Sequence, residues 1–172
     1  MVRSLILAAA SALTLAACAP TLGPPPPGAP PPSSAFRSED FAWSAESGRG
    51  SIVGRLTYRE GKRRYSCAGT TVILTPETGW TRRRMEILYL SSQSASLPAD
   101  EVRARTPSAP SGDYSAFIRK ATCDAAGRFS FAGLPSGAWY VIAAAKPVGG
   151  GQTMAIMRRV TTRRDQATPV AL

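Results

Sequence analysis

The side chains best equipped for chemistry in this 172-residue chain are guanidiniums. Lys+Arg is 21 against 11 Asp+Glu, a formal net charge of +10, and eighteen of the 21 cations are Arg. They gather as Lys62-Arg63-Arg64, Arg82-Arg83-Arg84, Arg158-Arg159 and Arg163-Arg164. Arginine presents a planar fork of donors that matches carboxylate and phosphate oxygens two at a time. Brought onto one face, the clusters would bind an anionic glycan, a lipid phosphate or an acidic protein. Kept apart, they are solvated charge that deters sheet edges from pairing with other chains. Trp80 follows Gly79 in a predicted loop and is the candidate for stacking on a sugar ring. Tyr58, Tyr65, Trp43 and Trp139 could stack too, although core packing competes for each and Trp139 is expected inside.

Bond-making chemistry is poorly provided for. Histidine is absent, which removes Ser/His and Cys/His nucleophile pairs, the imidazole base and the imidazole metal ligand. The carboxylates are scattered, whereas a glycosidase needs two within roughly 5–10 Å. No Walker A loop, dinucleotide fingerprint, Cys-x-x-Cys pair or EF-hand loop occurs. The expectation is a protein that is not an enzyme, with no cofactor, no metal and no catalytic residue.

The N-terminus speaks to location. A short positive start at Arg3 precedes an uncharged run from Leu5 to Ala17. Its length fits the apolar region of a signal peptide, about 7–15 residues, and falls short of the ~20 that span a bilayer. The run ends in Leu15-Ala16-Ala17-Cys18, which resembles the lipobox of the bacterial lipoproteins. That resemblance implies removal of residues 1–17 and a lipid-modified Cys18 as the first mature residue. Two or more acyl chains anchor stably where one does not. Ala19, where an Asp is the usual inner-membrane retention mark of these proteins, favours the outer membrane with the body facing the periplasm. The expected partners are then the membrane, an envelope protein or an anionic glycan, with no nucleic acid among them.

Eight of the thirteen residues from Pro20 to Pro32 are Pro. Proline fixes φ and donates no hydrogen bond, so residues 18–35 read as an extended spacer rising ~3.1 Å per residue. The body is 36–172, enough for one core. Ser51–Tyr58 and Thr70–Thr75 alternate apolar with polar, as half-buried strands do. Tyr114–Thr122 is expected as a strand around Phe117. Asp124–Gly127 is a turn, with Arg128-Phe129-Ser130-Phe131 alternating after it. Ala138–Ala145 is nearly all apolar and so central, and Thr153–Val160 and Ala167–Leu172 complete the set. Ser91–Gly112 reads as a long surface loop. Thr81–Leu90 is either a helix, with Met85, Leu88 and Tyr89 on one face, or a strand at Ile87–Leu90. The pattern predicts an all-β, antiparallel seven-stranded sandwich.

Turn and core residues add a second resemblance. Gly50-x-Ile52-x-Gly54, Cys67-Ala68-Gly69-x-x-Val72-x-Leu74-x-Pro76 and Asp124-x-x-Gly127-x-Phe129-x-Phe131-x-x-Leu134-Pro135-x-Gly137-x-Trp139-x-Val141 are similar to the carboxypeptidase regulatory-like domains. These are prealbumin-like sandwiches, and the resemblance implies a structural or binding module. With Cys18 lipidated, Cys67 and Cys123 remain. An even count in an oxidising compartment predicts one disulfide, with two free thiols as the alternative.

Overall fold

The computed structural model describes residues 35–172. Residues 1–34, with the signal peptide, Cys18 and the Pro-rich spacer, lie outside the described residues. A 3₁₀ segment at Ser38–Ala45 leads into ten strands: β1 (Gly50–Arg55), β2 (Arg59–Glu60), β3 (Arg63–Ser66), β4 (Thr71–Pro76), β5 (Ser94–Pro98), β6 (Arg119–Thr122), β7 (Arg128–Leu134), β8 (Gly137–Pro147), β9 (Met154–Thr162) and β10 (Ala167–Ala171). Two helices, α1 (Gly79–Tyr89) and α2 (Ala99–Ala104), flank β5.

The strands make two sheets of three and seven. In the smaller, β1 lies between β7 and β10. In the larger, β8 is the spine. It pairs with β9 along Gly137–Ala145 on one edge. Its other edge carries β4 at Trp139–Ala143, then β3 at Lys146–Pro147. Beyond these lie β6 on β4, β5 on β9 and β2 on β3.

Burial explains why β8 is apolar nearly throughout. Trp139, Val141, Ala143 and Ala145 face the main core, where they meet Val72, Leu74 and Ile156 of their own sheet. Ile52, Phe129, Phe131 and Leu134 reach the same core from the smaller sheet. The intervening Tyr140 and Ile142 face the other way, against Met85, Leu88 and Tyr89 of α1. The centre of the larger sheet is therefore buried on both sides, and the architecture there has three layers. Both polar groups of the aromatic pair are satisfied. The Trp139 indole donates to Thr162 Oγ1 at 3.0 Å, and the Tyr140 hydroxyl donates to Glu77 Oε1 at 3.3 Å.

Several expectations are corrected. The sandwich has ten strands in place of seven, and it is not wholly antiparallel, since β1 and β10 run parallel. Of the two readings of Thr81–Leu90 the helix holds, running from Gly79 to Tyr89. Thr78 caps it, its hydroxyl accepting from the Thr81 N–H at 3.1 Å while the Thr81 hydroxyl accepts from the Thr78 N–H at 2.7 Å. The reciprocal pair satisfies two donors that a helix start otherwise leaves bare. Leu90 ends the helix in the left-handed region at φ 56°. The segment read as a loop, Ser91–Gly112, contains β5 and α2. Phe117 sits in a 3₁₀ turn, so the strand there begins only at Arg119. The Asp124–Gly127 turn forms as expected. Asp124 Oδ1 accepts from the N–H groups of Ala126 and Arg128, both at 2.8 Å, and Gly127 takes φ 78°.

Cys67 and Cys123, 56 positions apart in the chain, are joined by a disulfide, with their Cα atoms 5.7 Å apart. It ties the approach to β4 to the end of β6. Closing a loop of that length is worth ~4 kcal/mol in the chain-entropy account. The double variant Cys67→Ala/Cys123→Ala should lose stability of that order, seen as a lower urea midpoint. An unchanged midpoint would show that the staple contributes nothing.

Candidate functional site

The four Arg clusters do not share one surface. Arg82 and Arg159 meet on a single carboxylate, Glu77, whose side chain is only 5% exposed. The Arg82 Nη2 lies 2.7 Å from Oε1 and the Arg159 Nη2 2.6 Å from Oε2. The Glu77 N–H also donates to the Ala138 carbonyl at 2.8 Å. These contacts lock the β4–α1 junction to β8 and β9. Burial, followed by the neighbouring Glu77 charge, pushes the Tyr140 phenol well above its usual range. Burial does the same to Tyr89.

Arg83 is paired with Glu86 on its own helix at 3.4 Å. Arg84 donates to the Pro110 carbonyl at 2.7 Å and stacks over the Trp80 and Tyr114 rings, 5.6 Å from each centroid. Trp80 itself is 1% exposed, closed in by Phe36, Phe41 and Tyr114. The expected stacking platform is thus a core residue with no face for a sugar, because the first turn of α1 points inward. Arg158 is exposed on β9, as are Arg163 and Arg164 in the β9–β10 turn. Arg164 lies 3.8 Å from Asp165, which also takes Arg49.

The remaining cluster has a different character. Gly61, at φ 58°, opens the tight turn that folds Arg59–Ser66 into the β2–β3 hairpin. Glycine at the first central position suits such a two-residue turn. The register sets Arg59 directly opposite Arg64, and Glu60 opposite Arg63. Arg55, at the end of β1, joins Arg59 and Arg64 around a cleft of about 170 Å³ lined also by Leu56, Thr57, Tyr58 and Tyr65. The two tyrosine rings meet edge to face, 5.0 Å between centroids. Tyr65 is buried and donates its hydroxyl to Glu60 Oε2 at 2.9 Å. Tyr58 is half-buried, and desolvation first, then the Glu60 charge, raises its phenol pKa. Thr57 occupies the Leu172 carbonyl oxygen through its N–H at 2.6 Å and its hydroxyl at 3.3 Å.

Among the described residues, Arg55, Arg59, Lys62, Arg63 and Arg64 form no ion pair. Five cations within ten positions therefore share one acid, Glu60, which already accepts from Tyr65. Arg63 and Arg64 were visible as a pair in the sequence. Arg55 and Arg59 were not, since each stands alone in its strand; the only sign was the Glu60-Gly61-Lys62 turn that folds Arg59 back onto Arg64. The corner is remote from the Glu77 clamp. Lys146, beside β3, and Ala138, beside Glu77, are eight positions apart on β8, ~26 Å at ~3.3 Å per residue.

Comparison with protein-family models and with curated proteins finds no match. Among solved structures, the chain is similar to one from Pseudomonas aeruginosa described as "a putative carbohydrate binding protein (PA1324)". The TM-score is 0.56 at 22% identity, over 80% of this chain and 97% of that one. The likeness is one of fold. It supports a two-sheet, sandwich-like architecture and carries no residue correspondence for a site.

Two predictions follow from the buried groups. Glu77→Gln leaves Arg82 and Arg159 facing a neutral amide and should cost roughly 3 kcal/mol in urea unfolding, as one-sided removal from a buried pair does. Loss near zero would show the clamp to be idle. In alkaline titration at 295 nm, Tyr89 and Tyr140 should ionise only together with unfolding. Their folded pKa values lie above the unfolded value of about 10, so they contribute stability below that pH and lose it as pH rises further.

Proposed function

We propose that this chain is a non-catalytic carbohydrate-binding module of the bacterial envelope, taking an anionic glycan at the β1–β3 corner. The observation that carries this reading is the juxtaposition of the Tyr58–Tyr65 pair with three unpaired guanidiniums in one cleft. Rings of this kind offer an apolar face to a sugar, and arginine forks hold its charged substituent. The fold likeness to a protein described as carbohydrate-binding supports the same reading. The Leu15-Ala16-Ala17-Cys18 sequence supports lipid anchoring at Cys18, with the outer membrane as its site and the body facing the periplasm. A carboxypeptidase regulatory-like, prealbumin-like ancestry remains part of the proposal on the strength of its turn and core residues.

A second reading is a structural or protein-binding module. Val53 favours it, standing 53% exposed on the outer face of the three-stranded sheet.

Affinity electrophoresis of the mature protein through neutral and anionic polysaccharides separates the readings. Retardation is expected by the anionic polymer, weakening as salt rises, and lost in Arg59→Gln/Arg64→Gln. Retardation by neither polymer rejects glycan binding. Mass spectrometry of the mature chain should find Cys18 carrying acyl mass; an unmodified thiol rejects the anchor.

A further inference from the structure

We infer that the charged group read by the β1–β3 cleft is a phosphate monoester on a sugar. The inference rests on the carbohydrate reading and narrows it to a ligand class.

Directly opposed like charges destabilise an antiparallel pair, and the two-residue β2 sets Arg59 against Arg64 with no acid of its own chain between them. Arg55 adds a third guanidinium to the same cleft. No Asp or Glu lines it, and Glu60 is turned to the Tyr65 hydroxyl. Three guanidiniums meet here, against Glu60 on the Tyr65 hydroxyl and the Leu172 carboxylate on Thr57, so the site keeps an excess of positive charge. A carboxylate offers one negative charge and two oxygens in a plane. A phosphate monoester offers nearly two charges and three acceptor oxygens, enough to engage forks arriving from β1, β2 and β3. The volume agrees. About 170 Å³ is well below the ~300–1,000 Å³ of sites that enclose a drug-sized ligand. It suits one phosphate with the edge of one sugar ring, the ring resting near Tyr58.

The ester could belong to a soluble sugar phosphate or to the phosphorylated headgroup of a glycolipid. The chemistry recognised is the same, and the test has an arm for each. Isothermal titration of the detergent-solubilised mature protein would use a hexose 6-phosphate, a hexuronate, the neutral hexose and inorganic phosphate at equal ionic strength. A phosphorylated glycolipid in the same micelles forms a fifth arm.

The hexose phosphate should bind at least tenfold more tightly than the hexuronate. It should also bind more tightly as pH rises through about 6, where the monoester takes its second charge, while hexuronate binding stays flat. The groups facing the ligand are Arg55, Arg59, Arg64, Tyr58 and Tyr65, with Glu60 behind Tyr65 and the Leu172 carboxylate, ionised throughout this range, behind Thr57. Arg59→Gln/Arg64→Gln should lose tenfold or more in affinity with a melting temperature no lower than the parent's, because relieving the opposed charges does not harm the fold. Arg158→Gln on β9 should leave affinity unchanged.

Equal or tighter hexuronate binding overturns the phosphate assignment and leaves the carbohydrate reading standing. Binding of the neutral hexose alone overturns the phosphate assignment together with the anionic part of the carbohydrate reading. Inorganic phosphate bound as tightly as the ester removes the sugar from the assignment. No binding in any arm overturns both readings. Tighter capture of the glycolipid than of the free ester, or equal capture, supports the phosphate site and assigns the membrane or the soluble source respectively.

Discussion

The constraint on which the structure depends is that β8 must be buried on both faces. Its side chains alternate between a core shared with the smaller sheet and a second cluster under α1. An antiparallel sheet can leave one face in water; the centre of this one does not. Three layers follow from that choice. The helix must lie across the sheet, and its start must be fixed where β4 ends. The Thr78–Thr81 capping box and the Glu77 clamp do this within five residues. A buried carboxylate is costly unless its partners are well placed. Here two guanidiniums and a phenol surround one side chain while the Glu77 N–H donates to the Ala138 carbonyl, so the junction has little freedom to shift.

Arginine has two uses in this fold, distinguishable by its surroundings. Arg82 and Arg159 hold Glu77, Arg84 fills an aromatic nest, and Arg119 donates to the carbonyls of Ser44 and Gly133. These groups answer charges or carbonyls of their own chain. The guanidiniums of the hairpin corner do not. Among the described residues, Arg103, Arg158 and Arg163 also lack an acid or carbonyl, but they are scattered, whereas four arginines and Lys62 gather at this one corner. This concentration, more than the total of +10, sets the corner apart from the rest of the surface.

The parts of this architecture that were legible in the sequence are those governed by neighbours in the chain. The alternation in Phe129–Phe131, the proline that ends β4, the Asp124–Gly127 turn and the central place of Ala138–Ala145 all express local rules. Thr81–Leu90 stayed ambiguous because Ile87-Leu88-Tyr89-Leu90 suits a strand as well as a helix face. β5 was hidden because Ser94-Ala95-Ser96-Leu97-Pro98 lacks large apolar residues and needs only the edge of β9 to form. The parallel pairing of β1 with β10 joins residues more than a hundred positions apart, and no local pattern encodes it. At the candidate site, Arg63, Arg64, Tyr58 and Tyr65 were visible as residue types, while Arg55 and Arg59 gained meaning only through the hairpin register. Trp80 was misplaced because a residue just after a helix start can point inward as easily as outward.

The parallel alignment of the first and last strands has a mechanical consequence. A load applied between the Gly50 end of β1 and the Ala171 end of β10 acts along both strands in opposite directions. Every rung between Ser51–Ala167 and Arg55–Ala171 then resists at once, instead of parting one after another as in a zip. The seam between the first and last strands is thereby firmer against a lengthwise pull than against a sideways peel.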